Sequence, residues 1–184
     1  MLETTMPKKT DSQSKTRTLR INEDLDLVIQ SEAERLGMSP NALINKVLLQ
    51  YKDVLRFNDP QYFLMISLET FQAILDRLSI EEIEDIGYEY GHRKLHENIL
   101  KRGMEINHEN ILWYIKQELG EYSGWFRCDV YEKKDAESMH LIHNLGRKWS
   151  HFLVNYVTSI LHGELGLKVQ SVVLENDVHL TITK

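Results

Sequence analysis

The chain has 184 residues, 42% of them apolar, and its 28 Asp and Glu residues outnumber its 22 Lys and Arg residues, for a net charge of −6. This apolar share is typical of a globular protein and excludes disorder of the whole chain, while the length allows one domain or two small ones. No apolar run approaches the ~20 residues that cross a bilayer, and a single cysteine, Cys128, excludes an intrachain disulfide framework. We therefore expect a soluble cytoplasmic protein that does not bind membranes.

The charge is unevenly distributed along the chain. Residues 1–58 hold 9 basic and 8 acidic residues, and the remainder holds 13 basic and 20 acidic residues. A basic front end beside an acidic body is compatible with a protein that binds DNA at one end only, and equally with a basic tail that has no partner. Charge alone does not decide between the two.

The N-terminal third of the chain contains one short strand pattern and two helix patterns. Residues 1–15 are polar and predict a flexible basic arm, whereas the alternation over Thr16–Ile21 predicts a strand. Asn22 is a suitable N-cap for a first helix that ends at Gly37, and Ser39 is a suitable N-cap for a second one. Residues 16–58 thus form one predicted domain, and the proline that follows marks the boundary to residues 59–184.

One strand and two short helices bury too little surface to be stable alone, so we expect a homodimer in which the two strands pair. Two stretches, T-L-R-I-N-E-D-L and E-R-L-G-M-S-P-N-A-L-I-N-K-V-L, lie in this region. Over residues 16–55 the pattern resembles the ribbon-helix-helix (MetJ/Arc/CopG-type) superfamily of DNA-binding proteins. The resemblance implies a ribbon in the major groove of double-stranded DNA, with base contacts from Thr16, Thr18 and Arg20 and phosphate contacts from Lys15, Arg17, Ser39 and Asn41.

Residues 59–184 predict a separate α+β domain. Ser67, Ser79 and Asn107 are suitable N-caps, and Ser79 with Glu82 forms a capping box. We expect the helix after Ser79 to bury Ile83, Ile86 and Tyr90, and the helix after Asn107 to end at Gly120. Two hairpins around one long helix then predict a mainly antiparallel sheet in the order ββαββ. This layout distantly resembles vinyl-reductase-like ligand-binding domains, and it suggests a sensing or oligomerisation domain.

Motifs for familiar enzyme chemistry are missing from the sequence. It contains no G-x-G-x-x-G after a strand pattern, no P-loop, no G-x-S-x-G and no H-E-x-x-H. Cys128 lies in a strand pattern with apolar neighbours, which indicates a buried thiol rather than a nucleophile. We therefore expect that the chain is not an enzyme.

The histidines offer the best polar constellation. Glu89, His92 and His96 are spaced by three and four residues and share one face of the helix after Ser79. Imidazole and carboxylate ligands suit zinc, nickel or copper, and binding should weaken at acidic pH because the ligand is neutral imidazole. The alternatives are an ordinary exposed surface and a small organic effector bound elsewhere. His140 and His143 should point to opposite faces of a strand and so not chelate together.

These observations predict a sequence-specific DNA-binding regulator in the role of a repressor, which acts as a homodimer or tetramer on the nucleoid. A metal-responsive version would use Glu89, His92 and His96. Two other classes remain open, namely an antitoxin of a toxin–antitoxin pair and an enzyme that uses the N-terminal module only to dimerise. The long C-terminal region argues against an antitoxin, and the lack of motifs argues against an enzyme.

Overall fold

The computed structural model describes residues 15–57, 66–132 and 136–183, and it divides into two compact units between Val47 and Leu48. The described part contains six α-helices and one four-stranded antiparallel sheet, which confirms the predicted α+β class. None of the helices in these three ranges is both long and apolar enough to cross a membrane. The proposed domain boundary after residue 58 lies outside the described residues, and so does most of the N-terminal arm.

The first unit contains helix α1 (Glu23–Arg35) and most of helix α2 (Pro40–Asp53), which continues into the second unit. Asn22 and Ser39 cap these helices as predicted, since their side chains accept hydrogen bonds from the Leu25 and Ala42 amides. Residues 15–22 form neither helix nor strand in the single chain and are exposed. The strand predicted over Thr16–Ile21 was expected to pair with a second copy of the chain, so it stays a prediction.

The second unit begins with helical segments whose starts follow the predicted caps. Helices α3 (Leu68–Leu75), α4 (Ile80–Lys101) and α5 (His108–Trp113) begin after Ser67, Ser79 and Asn107, and the capping box at Ser79 is complete. The end predicted at Gly120 is wrong, because α5 continues into a π-helix over Tyr114–Tyr122. A short 3₁₀ turn, Leu55–Phe57, follows α2.

The sheet consists of β1 (Arg127–Glu132), β2 (Ala136–Ile142), β3 (Lys168–Val173) and β4 (Asp177–Thr183) in the order β1-β2-β4-β3, with every neighbouring pair antiparallel. Helix α6 (Arg147–Leu165) connects β2 to β3, so the predicted ββαββ order is confirmed. Alternate residues of β2 and β4 face the core, where Met139, Leu141, Val178 and Leu180 are fully buried.

Helix α6 is the central element of this core. Its apolar side packs on β3 and β4, and it also lies against α4. The side chains of Leu153, Val157, Ile160 and Leu161 are fully buried. Burial of this kind stabilises a protein by roughly 1.5–3 kcal/mol for each large apolar side chain. Helix α6 is thus held in the main core, and helix α4 packs against it. The polar side chains at the edge of this helix contact are positioned by that packing.

Candidate metal centre

Helix α4 approaches α6 through glycines. Its buried positions are Ile83, Gly87, Gly91, Leu95 and Ile99, which recur every four residues. A Cβ at Gly87 would lie 2.7 Å from the carbonyl oxygen of the Phe152 residue on α6, and a Cβ at Gly91 would overlap α6 as well. The two helix backbones are thus in direct contact. The Ile86 and Tyr90 side chains, predicted to be buried, are 39% and 37% exposed.

This contact places two histidines at its edge. His92 and His96 each follow a buried position of α4, directly after Gly91 and Leu95. The His92 backbone amide donates a hydrogen bond to Ser159 Oγ of α6 at 3.1 Å. A Cβ at Gly163 of α6 would lie 2.7 Å from His92 Nδ1. The missing side chain at Gly163 therefore leaves the space that the His92 ring occupies.

Glu164 of α6 completes a three-residue cluster. Its Oε1 atom lies 2.9 Å from His92 Nδ1 and 2.5 Å from His96 Nε2. The Glu164 side chain is only 9% exposed, whereas the two imidazoles are 48% and 42% exposed. Candidate ligand atoms of these three residues all lie within 4.8 Å of one another. The carboxylate thus forms the inner wall of the cluster and the imidazoles form its rim.

The Glu164 oxygen is close to both imidazoles, but it is not hydrogen-bonded to either. Oε1 is buried and has no hydrogen-bond partner. His151 and Glu84, at the same helix pair, do form an aligned hydrogen bond at 2.7 Å. A buried acceptor without a partner costs about 1–3 kcal/mol, so such an atom calls for an explanation. When the imidazoles are protonated these contacts are ion pairs, and when they are neutral a cation between the three atoms would take the place of the protons.

The cluster fits the chemistry of a small transition-metal site. Zinc binds imidazole nitrogen and carboxylate oxygen at about 2.0–2.2 Å, which places the ligand atoms of a tetrahedral site about 3.3 Å apart. The two nitrogen–oxygen distances are 2.9 and 2.5 Å, and all three candidate ligand atoms lie within 4.8 Å of one another. Because His92 and His96 are one helical turn apart on α4, both can reach the same ion.

The predicted ligand set is thus partly changed. The structure brings together His92 and His96 but not Glu89, which is exposed and lies 3.7 Å from Arg93 in an ion pair along α4. The carboxylate comes from Glu164, far along the chain. Sequence reasoning missed it because the glycines of α4 were not recognised as the contact face. The spacing of Gly87 and Gly91, together with Gly163 beside Glu164, is the signal that could have found it.

Another histidine outside this cluster, His143, has a different environment. Its Nδ1 accepts a hydrogen bond from the Leu145 amide at 3.2 Å, so Nε2 carries the proton and donates to Ser150 Oγ at 2.8 Å. Burial lowers the pKa of His143, and the nearby Asp177 and Glu175 carboxylates oppose that shift. Because both nitrogens of this neutral imidazole take part in hydrogen bonds within the protein, His143 has a structural role. His140 lies on the opposite face of the sheet, against His179, as the strand parity predicts.

Two further buried groups titrate abnormally. Burial raises the pKa of the Cys128 thiol to about 12, which keeps it protonated and unreactive at neutral pH. Glu118, in the π-helix, lies with its Oε2 atom 3.0 Å from Arg102 Nη2. Burial raises the pKa of Glu118 to about 7, although Arg102 acts in the opposite direction. Neither group has a metal-ligating partner among the residues that the structure describes.

The residues predicted to contact DNA do not form a recognisable site. Lys15, Thr16, Arg17, Thr18 and Arg20 are exposed in a segment without regular secondary structure. Ser39 caps α2, and Asn41 is exposed in its first turn. The described single chain therefore shows helix caps here and no second strand beside residues 15–22.

Comparison with known proteins returns few matches. No family model matches the chain, and no curated protein matches it. A solved structure that is similar is the trafficking protein particle complex subunit 3 from Naegleria fowleri, solved covalently bound to palmitic acid. The similarity covers 86% of this chain and 97% of that chain, at 13% identity and a TM-score of 0.41.

These results correct the interpretation of residues 16–55 as a ribbon-helix-helix module. No family model and no curated protein of that superfamily matches the chain. The layout resemblance to vinyl-reductase-like domains is likewise without a matching family model. The functions that depended on that module are therefore withdrawn: the repressor, its metal-responsive version, the antitoxin, and the partnership with double-stranded DNA as a homodimer or tetramer.

Proposed function

We propose that the second unit of this protein, residues 48–184, binds one divalent transition-metal ion. The ligands are His92 Nδ1 and His96 Nε2 of α4 and the carboxylate of Glu164 of α6. The ion would link the two helices at the edge of their glycine-lined contact. The proposal concerns binding alone, and the expectation that the chain is not an enzyme stays a prediction.

One observation carries the proposal. The side chain of Glu164 is nine-tenths buried, and its Oε1 atom has no hydrogen-bond partner although two imidazole nitrogens lie 2.9 and 2.5 Å away. A cation bound by all three atoms would satisfy the buried carboxylate and use the lone pairs of both imidazoles. Two nitrogens and one oxygen favour Zn²⁺, Ni²⁺ or Cu²⁺ over Mg²⁺ or Ca²⁺, which prefer oxygen ligands.

The test is calorimetric titration of Zn²⁺ into chelator-treated full-length protein. We expect one ion per chain for the wild type and no measurable binding for the His92→Ala/His96→Ala double variant. The matched control is His162→Ala, which removes an exposed histidine of α6 outside the cluster and should leave affinity unchanged. Far-UV circular dichroism of each variant establishes that it is folded.

Two results would contradict the proposal. One is a wild type that binds no Zn²⁺, Ni²⁺ or Cu²⁺, and the other is a folded double variant that binds with wild-type affinity. A supporting measurement is the pH dependence of binding. Affinity should fall as the pH is lowered, because protons compete with the metal for the imidazole nitrogens. An organic effector would not require both histidines to be deprotonated.

A further inference from the structure

We infer that the metal bound by His92, His96 and Glu164 keeps one coordination position open to solvent, and that this position takes a monodentate anion. The inference rests on the proposed metal site and goes beyond it, because a three-ligand site can also be closed by a further protein group. A closed four-ligand site has a structural role, whereas a site with an open position can bind an exchangeable ligand.

The first reason is the number of ligands. In the described residues, the cluster of potential metal-binding side chains comprises three members and no fourth His, Cys, Asp or Glu. Zinc in proteins is usually bound by four groups, and sites with three protein ligands complete the set with water or substrate. Glu89, the nearest carboxylate suggested by the sequence, lies in the ion pair with Arg93 instead.

The second reason is the direction from which the ligands come. The Glu164 side chain is 9% exposed, and the His92 and His96 side chains are 48% and 42% exposed. Two half-exposed imidazoles hold the ion at the protein surface, with the carboxylate beneath it. Solvent thus has access to the outer side of the ion, where the fourth ligand of a tetrahedral site would lie.

The third reason is charge. A divalent ion with two neutral imidazoles and one carboxylate carries a net charge of about +1. Such a centre attracts an anion to its free position more strongly than it attracts a neutral ligand. The chemical class of the exchangeable ligand is therefore a small monodentate anion, of the size of azide, a carboxylate or a thiolate.

The test uses the full-length protein loaded with one equivalent of Co²⁺, whose visible absorption reports the number and type of ligands. We expect sodium azide to change the visible bands in a saturable manner, while Co²⁺ remains bound as measured by metal analysis after dialysis. Sodium perchlorate at equal ionic strength is the control, since it coordinates poorly, and it should leave the bands unchanged. The His162→Ala variant should respond to azide like the wild type.

The outcomes separate this inference from the proposal on which it rests. Bound Co²⁺ with bands that do not respond to azide would show a closed site and would overturn the inference alone. Loss of Co²⁺ on adding azide, without a spectrum of a ternary complex, would overturn it too. Failure of the wild type to bind Co²⁺ or Zn²⁺ at all would overturn the metal site itself.

Discussion

Two histidine clusters lie near opposite ends of helix α6, and they differ in how far their hydrogen bonds are completed. Near the start of α6, His143 uses one nitrogen as acceptor from the Leu145 amide and the other as donor to Ser150. Near its end, Glu164 presents a buried oxygen to His92 and His96 without a hydrogen bond to either. In the first cluster both imidazole nitrogens are used in hydrogen bonds, whereas in the second two imidazole nitrogens and one carboxylate oxygen converge.

This difference separates a structural histidine from a ligand-binding one. Both clusters contain partly buried imidazoles beside a partner from another element, so burial and proximity alone do not distinguish them. Completed hydrogen bonds stabilise the fold by about 1 kcal/mol each, whereas burial of the Glu164 carboxylate costs free energy that its two imidazole neighbours or a bound cation must offset. Substitutions in the first cluster should thus change stability, and substitutions in the second should change metal affinity.

The largest expected effect is that of Glu164→Gln on metal binding. Glutamine has nearly the shape of glutamate but no charge, so it removes the anionic ligand from His92 and His96. We expect Zn²⁺ affinity to fall by more than the roughly 10–100-fold that loss of a hydrogen-bond partner of a metal ligand costs. Calorimetric titration measures this change.

The same Glu164→Gln variant should not be less stable in the absence of metal. It no longer buries a full negative charge, and chemical unfolding in the presence of chelator measures the result. A matched control is Ser150→Ala in the other cluster, which should lower stability without any effect on Zn²⁺ affinity. If Glu164→Gln strongly destabilised the metal-free protein and Zn²⁺ affinity stayed unchanged, the two clusters would not differ as argued.

A smaller effect is expected from Gly163→Ala. The added Cβ would lie 2.7 Å from His92 Nδ1, so the imidazole ring must move away from its position. We expect Zn²⁺ affinity to fall by roughly 10-fold, the lower end of the cost of disturbing the groups that orient a ligand. Alanine favours a helix over glycine by about 1 kcal/mol, which offsets the cost of moving the imidazole ring. The free energy of unfolding without metal should therefore change little.

His162→Ala, one residue earlier on α6, controls for any general effect of substitution there. Gly163→Ala with wild-type metal affinity would show that the position of His92 is not set by this contact. Gly91→Ala should instead lower the stability of the protein. There the added Cβ would overlap the backbone and Ser159 of α6, so the whole helix pair should be destabilised.

The sequence predicted the helix starts and the sheet correctly because these depend on local residues. Asn22, Ser67, Ser79 and Asn107 each accept the amide hydrogen bond expected of an N-cap. Period-two alternation identified the strands for the same reason, and it is clearest in β4, where Val178, Leu180 and Ile182 are buried. Local patterns are therefore sufficient for the α+β class and for the ββαββ order.

The sequence failed where the structure depends on contacts between distant elements. The helix α4 was assigned an apolar face with Ile86 and Tyr90, but its real contact face includes Gly87 and Gly91. A hydrophobic pattern gives no weight to glycine, although glycine permits the closest approach of two backbones. His92 and His96 were found because their spacing is local. Glu164 was missed because its proximity depends on that helix contact.

The N-terminal unit illustrates the same limit. The motif over residues 16–55 predicted a strand followed by two helices, and the helices are present. The strand was expected to pair with a second copy of the chain, and the single chain shows no strand over residues 16–21. The helix boundaries depend on local residues and were predicted correctly, whereas the functional interpretation depended on a family resemblance that no family model supports.

A moderate effect on stability is expected from His143→Gln. Glutamine can still donate to Ser150, but it cannot also accept the hydrogen bond from the Leu145 amide in the same geometry. We expect a loss of about 1–2 kcal/mol in the free energy of unfolding by urea, with Zn²⁺ affinity unchanged. Reduced metal binding in a folded variant would contradict the separation of the two clusters.

The smallest expected effect is the pH dependence of the difference in unfolding free energy between the wild type and His143→Gln. Burial lowers the pKa of His143 below 6.5, so the unfolded chain takes up its proton first as the pH falls. The stabilisation provided by the neutral imidazole is therefore present above about pH 6.5 and is lost progressively below it. Glu118 acts in the opposite direction. Its pKa is raised from 4.5 to about 7 in the folded state, so its effect is to lower stability as the pH rises through that range.

The two contributions offset each other in a single pH profile of the wild type, which makes that profile uninformative. The difference in unfolding free energy between the wild type and His143→Gln removes the Glu118 contribution, because both proteins contain it. We expect the advantage of the wild type to shrink as the pH is lowered from about 8 to about 5, since only the wild type has an imidazole to protonate. Urea unfolding at several pH values, with chelator present, measures it. A difference that stays constant over this range would mean that His143 is not held neutral by its two hydrogen bonds, and the contrast between the clusters would lose its electrostatic basis.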